Sequence, residues 1–145
     1  MRLNYYEELK KQLQDTRLDS EDFENTILFL PDIFNLLCDL LDEEQLIQED
    51  RMIANCGISY LVVPSDVLPE DVYGVKGFMD DLFVCCVVLK ELNGKYPDLI
   101  RKHWNNTVDD AEFDKVVDRC YYKSSQVIDE ENLRDKILRY AGLAP

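Results

Sequence analysis

The sequence predicts an all-α fold: a compact bundle of about six to seven helices, in a single domain over residues 1–145, around a central apolar helix at about 78–92. Apolar residues recur at helical intervals along most of the chain. Only five glycines and five prolines occur, too little punctuation for an all-β fold. The stretch from Phe78 to Leu92, which includes LFVCCVVL, is apolar on nearly all sides and so needs neighbours on every side.

Leu3, Tyr6, Leu9 and Leu13 mark the first helix, with Asn4 available as its cap. The acidic patch DSEDFE from Asp19 opens a second segment through Ile27, Leu28 and Leu30, because carboxylates suit the positive end of a helix. Pro31 begins a new helix, since proline fits a first turn and not an interior; its stripe is Ile33, Phe34, Leu37, Cys38 and Leu41. DEEQ, Asp42 to Gln45, has the form of a capping box with Asp42 as N-cap. The helix it opens carries Leu46, Ile53, Gly57, Tyr60 and Leu61 on one face and stops before Pro64.

A loop then runs to Gly77, which caps the central helix, and NGKYPD from Asn93 breaks it. A short helix passes through Leu99, Ile100 and Trp104. Thr107 or Asp109 starts a long amphipathic helix with Phe113, Val116, Val117, Cys120, Ser124 and Val127 inward. Asp129 opens the last helix, with Leu133, Ile137 and Tyr140 as its stripe and Gly142 just past its end.

An apolar fraction of 46% and a charged fraction of 32% are those of a globular chain. Acids outnumber bases 30 to 16, a formal net charge of −14. Such a surface repels phosphate backbones and anionic lipid and favours basic partners or cations. No run of four Lys and Arg offsets it, which excludes nucleic acid as the expected partner. The five cysteines, Cys38, Cys56, Cys85, Cys86 and Cys120, are odd in number and sit inside apolar patterns, as small buried hydrophobes do in a reducing compartment. The N-terminus MRLNYYEELKKQ lacks the apolar core of a signal peptide. The longest uncharged, strongly apolar run, Leu82 to Leu89, is far short of the roughly 20 residues of a membrane span. A cytoplasmic location is expected.

The stretch with most chemistry is YLVVPSDVLPEDVYGVKGFMDD, Tyr60 to Asp81. In a structural reading Gly77 is the N-cap of the central helix, Asp80 at N3 reaches back to the cap amide, and Asp81 sits in the positive helix end. Pro69 starts a short turn served by Glu70 and Asp71. Asp66 as an N-cap would find Pro69 at N3 with no N–H, so it turns instead to the Tyr60 hydroxyl or to the amides opening the Phe78 helix. In a functional reading Asp66, Glu70, Asp80 and Asp81 converge on one divalent cation, with Asp66, Asp80 and Asp81 the first metal-ligand candidates. Hard oxygens suit Mg²⁺, Mn²⁺ or Ca²⁺.

Other chemistry is thin. His103, the one histidine, reads as a surface or packing residue beside Trp104. Cys85 and Cys86 are adjacent and point in different directions on a helix, so they form no redox pair. VYGVKGF lacks the order of a phosphate-binding loop. The pairs Tyr5–Tyr6 and Tyr121–Tyr122 place one ring inward and one at the rim.

Tyr60, Pro64, Asp66, Leu68, Pro69, Glu70, Gly77, Phe78, Asp80 and Asp81, followed by an apolar helix to Leu89, together resemble the signature of the YkvA-like family. This is a bacterial and archaeal domain of unknown function, number twelve thirty-two in the unknown-function series. The spacer VYGVKG is similar to the longer family variant with the extra Gly74, and His103–Trp104 and ILRYAGL resemble the flanks of longer members. The resemblance implies relatives and no activity. The expected role is therefore a non-enzymatic acidic protein–protein interaction module (adaptor, antitoxin or immunity-like) without a cofactor, taking a basic protein as partner. The alternative is a divalent-cation-binding protein or metal-dependent enzyme that uses the acidic loop between the two apolar helices.

Overall fold

A computed structural model describes residues 2–15, 26–62, 78–104 and 112–144. Among them are seven helices and no strand: α1 (Arg2–Asp15), α2 (Leu30–Leu41), α3 (Gln48–Val62), α4 (Met79–Lys95), α5 (Pro97–His103), α6 (Phe113–Glu130) and α7 (Arg134–Tyr140). As expected, α4 is the centre. It packs against α2, α3, α5, α6 and α7, most extensively against α6. Residues Met79 to Cys86, Val88, Leu89 and Leu92 of α4 are all buried. Each fully buried large aliphatic or aromatic side chain contributes roughly 1.5–3 kcal/mol, so this helix anchors the others.

α1 is already under way at Arg2, so Asn4 lies inside it, exposed, and not at its start. Leu9 and Leu13 are buried. The Tyr5 ring meets Phe34 at a tilt, 4.8 Å between centroids, and its hydroxyl donates to the Leu61 carbonyl, which joins α1 to α2 and to the end of α3. The DSEDFE patch lies outside the described residues; beyond it Ile27 and Leu30 are buried and Leu28 is exposed. Pro31 stands in the first turn of α2. The inner face of α2 is wider than the predicted stripe: Leu36 and Leu40 are fully buried, whereas Cys38 and Leu41 are half-buried. Neighbours on several sides, α1, α3 and α5, cover more than one face.

DEEQ is not a capping box. Asp42 is the C-cap of α2, and α3 begins only at Gln48. The intervening turn is held by Arg51, whose guanidinium donates to the carbonyls of Leu41, Glu43 and Leu46. Carbonyls at a helix C-terminus lack intrahelical partners, and Arg51 satisfies the last one of α2, Leu41, together with two in the turn that follows. Where α3 crosses α2 and α4, Gly57 permits close approach: a Cβ there would lie 3.1 Å from Leu37 Cδ1 and 3.5 Å from Val88 Cγ2.

α4 runs on through Asn93 and Gly94 to Lys95, beyond the predicted end at Leu92, and breaks inside the predicted NGKYPD stretch. A helical glycine costs only about 1 kcal/mol, and Asn93 donates its side-chain amide to Asp114 of α6 at 3.0 Å. The break comes at Tyr96 and Pro97, where proline has no N–H to extend the ladder.

α6 buries the predicted residues Phe113, Val116, Val117, Cys120, Ser124 and Val127, and adds Ile128. Thr107 and Asp109 lie outside the described residues, and α6 takes Glu112 as its N-cap. Asp129 does not open a new helix. α6 continues to Glu130 and closes on left-handed Asn132, with the Leu133 amide bonded to the Ile128 carbonyl. Asp129 is left to accept from Arg134 Nε and one terminal guanidinium nitrogen, each at 2.9 Å. α7 ends in the same motif: Gly142 has φ 84, and the Leu143 amide meets the Leu138 carbonyl. Ile137 is buried, while Tyr140, predicted inward, is 54% exposed. Of the tyrosine pair in α6, Tyr121 is half-buried and Tyr122 exposed. No helix among the described residues is long and apolar enough to cross a membrane.

Candidate functional site

α3 ends at Val62 and α4 starts at Met79, and the packing of the two helices brings Tyr60 against Asp80. Both are buried, Asp80 completely, and Asp81 beside them is buried as well. The Tyr60 hydroxyl donates to Asp80 Oδ2 at 2.7 Å, and Asp80 Oδ1 accepts the Asp81 amide at 3.0 Å. The geometry departs from the predicted cap. Phe78 takes the N-cap position and Asp80 is the second residue of α4, so its carboxylate meets the next amide and a tyrosine from α3. Removing a carboxylate from water is costly unless it is hydrogen-bonded. These two bonds and the positive end of a 17-residue helix contribute to the compensation. Pro64, Asp66, Pro69, Glu70 and Gly77 lie outside the described residues, so of the four candidate acids the structure places Asp80 and Asp81, side by side and turned inward.

Beside this pair, the Tyr140 ring stands edge-on to Tyr60, 5.9 Å between centroids at 88°. A cavity of about 210 Å³ opens there, lined by Cys56, Ser59, Tyr60, Tyr140 and Ala141. Burial pushes the Cys56 thiol up, away from the reactive thiolate. Cys85 and Cys86 are fully buried and pushed well above the usual thiol range, chiefly by desolvation. Cys86 faces Cys120 of α6, so neighbours on one helix do point to different surroundings.

His103 sits at the opposite part of the bundle and joins α5 to the end of α2. Its Nε2 lies 2.6 Å from Glu43 and its Nδ1 3.8 Å from Asp39, while Lys102 reaches Glu43 at 3.1 Å. This is a packing role. Among the described residues no three His, Cys, Asp or Glu side chains gather so as to hold a metal ion.

Asp50 was missed. It is fully buried in the first turn of α3 and accepts from Lys95 Nζ at 2.9 Å and from the Tyr96 hydroxyl at 2.6 Å. Its spacing carried a signal: Asp50, Ala54, Gly57 and Leu61 fall at i, i+4, i+7 and i+11, one helical face, all buried. A carboxylate on that face needs a partner inside.

Comparison with known proteins bears on the same segment. The sequence model of a family described as Protein of unknown function (DUF1232) matches residues 50–86, from buried Asp50 through the Tyr60–Asp80 pair to Cys86. The uncharacterized protein ORF9 of Methanothermobacter thermautotrophicus is 31% identical over 123 residues, 84% of this chain and 81% of that protein. The E3 ubiquitin-protein ligase RNF170 of Xenopus laevis is 42% identical over 41 residues, 28% of this chain and 16% of the ligase. No solved structure matches the chain.

Proposed function

The chain belongs to the DUF1232 family, a family of unknown function, and from that premise we propose that it acts as a non-enzymatic binding module for a basic protein partner, of the adaptor, antitoxin or immunity kind. The observation that carries this reading is how the charges are divided. Lys90, Lys95, Arg101, Lys102 and Arg134 each face a carboxylate of the same chain, and Arg51 is tied to backbone carbonyls. Glu44, Glu49, Glu91, Asp98, Glu130, Glu131 and Asp135 are exposed, and they outnumber the exposed bases Lys10, Lys11, Arg119, Lys136 and Arg139. With a net charge of −14, the surface field draws in positively charged partners and speeds encounter at low salt. The inward Asp80 and the fully buried Cys85 and Cys86, whose thiols burial pushes up, support binding over catalysis. The likeness to RNF170, where the shared stretch makes up a small part of a larger protein, fits a module.

Isothermal titration of the protein with an arginine-rich peptide and with its glutamate-for-arginine counterpart tests this. Heat from the basic peptide alone, with affinity falling as salt rises, is expected. No binding, or equal binding to the acidic peptide, would overturn it.

A second reading, Mg²⁺, Mn²⁺ or Ca²⁺ held by Asp66, Asp80 and Asp81, draws on one observation: Asp80 and Asp81 are adjacent and buried at the start of α4. Such an ion would compete with the Tyr60 hydroxyl for Asp80 Oδ2.

A further inference from the structure

Between the end of α5 and the start of α6 lies a cavity of about 400 Å³, lined by Arg101, Trp104, Glu112, Phe113 and Asp114. This is near the small end of the range for ligand pockets, roughly 300–1,000 Å³. Its aromatic wall is made of rings packed on one another. Trp104 is the C-cap of α5, and its ring meets Phe113 edge-on at 5.4 Å and lies 6.4 Å from Phe29. Phe113 is buried and opens α6, so Glu112 and Asp114 flank it on the rim.

Those two carboxylates are loosely held. Glu112 lies 3.9 Å from Lys115, with both side chains more than 70% exposed. Asp114 accepts from Asn93 on one oxygen, and its other oxygen is 3.5 Å from the half-exposed Arg101. Exposed pairs of this kind are worth little, so an incoming cation can displace them. Among the described lining residues, two carboxylates stand against one guanidinium, a net negative set.

We propose that this cavity receives an arginine side chain of the partner, its guanidinium against the Trp104 ring and its fork on Glu112 and Asp114. The chemistry selects arginine: a planar, weakly hydrated guanidinium stacks on aromatic faces and bonds carboxylates in a bidentate way, which a strongly hydrated ammonium does not. A tryptophan in a pocket is also the usual kind of anchor point in a protein interface. The inference rests on the reading of a basic protein partner and gives that partner one defined contact.

Trp104 is the only tryptophan in the chain, so its emission reports on the cavity alone. The full chain is titrated with an arginine-rich peptide and with its lysine and citrulline counterparts, by fluorescence and by calorimetry together. Expected are a saturable change in Trp104 emission with the arginine peptide, a weaker one with lysine and none with citrulline. Glu112→Gln, at an exposed position, weakens binding about tenfold at an unchanged melting temperature, and Glu112→Gln with Asp114→Asn removes the emission change. Calorimetric binding that leaves Trp104 emission unmoved and is indifferent to Glu112→Gln would overturn the cavity while leaving the basic-partner reading intact. Equal response to arginine and lysine peptides would overturn the guanidinium assignment. No binding by either method would overturn both.

Discussion

The Tyr60 hydroxyl lies 2.7 Å from Asp80 Oδ2, a hydrogen bond closed off from water between the helices on either side of the acidic loop. It joins positions 20 residues apart, so it fixes how α3 enters and α4 leaves that loop. Tyr60→Phe removes one donor from a buried carboxylate. The expected loss is about 1.5–3 kcal/mol, the range for hydrogen bonds to charged groups, read by urea denaturation. In a cycle with Asp80→Asn the two losses should couple; sums that agree within about 0.5 kcal/mol would show that the bond adds nothing.

The Asp50 carboxyl is held below its ordinary 3.8 by the Tyr96 hydroxyl first and the Lys95 ammonium after it, against the opposing effect of burial. A depressed folded value contributes stability that is complete above the unfolded value and lost as pH falls through the folded one. The hydroxyl and the ammonium are raised by the same contact, so their contribution is present below their ordinary values of 10.0 and 10.5 and lost above them. Denaturation measured from pH 6 down to pH 3 should fall more steeply for the wild type than for Asp50→Asn. Parallel curves would rule out this contribution.

Gly57 has Leu37 Cδ1 only 3.1 Å from where a Cβ would stand. Gly57→Val forces a branched side chain between α2 and α4 and should cost roughly 1–3 kcal/mol by overpacking. Gly94, where a Cβ would meet nothing within 4 Å, is the control: Gly94→Ala should gain up to about 1 kcal/mol from helix propensity. The two melts should move in opposite directions.

Much of the fold was legible because it depends on local spacing. The inward set of α6, the all-round apolar α4, Pro31 in a first turn and Gly142 past a last one follow from residues within a few positions of one another. The misplaced boundaries share a different cause. DEEQ, Asn93–Lys95 and Asp129 carry local signals that distant partners override: Arg51 on the Leu41 carbonyl, Asp114 for Asn93, Arg134 for Asp129. The site was half legible. Tyr60 and Asp80 stood out by type and surroundings, but their pairing depends on how α3 packs on α4, and Asp50 was visible only as a charge on an apolar face.

In the reading proposed above, the buried Asp80 carboxylate joins α3 to α4 through Tyr60 and needs no cation to do so. A thermal melt of chelator-treated protein, alone and with Mg²⁺, Mn²⁺ or Ca²⁺, tests it most directly. The expected result is an unchanged Tm with every cation, and a lower Tm for Asp80→Asn in their absence. A cation at about a hundredfold its Kd stabilises by roughly 2.7 kcal/mol, which raises the Tm of a domain of this size by roughly 5–11 °C. A rise of that size with one cation, lost in Asp80→Asn, would contradict the claim and make Asp80 a ligand.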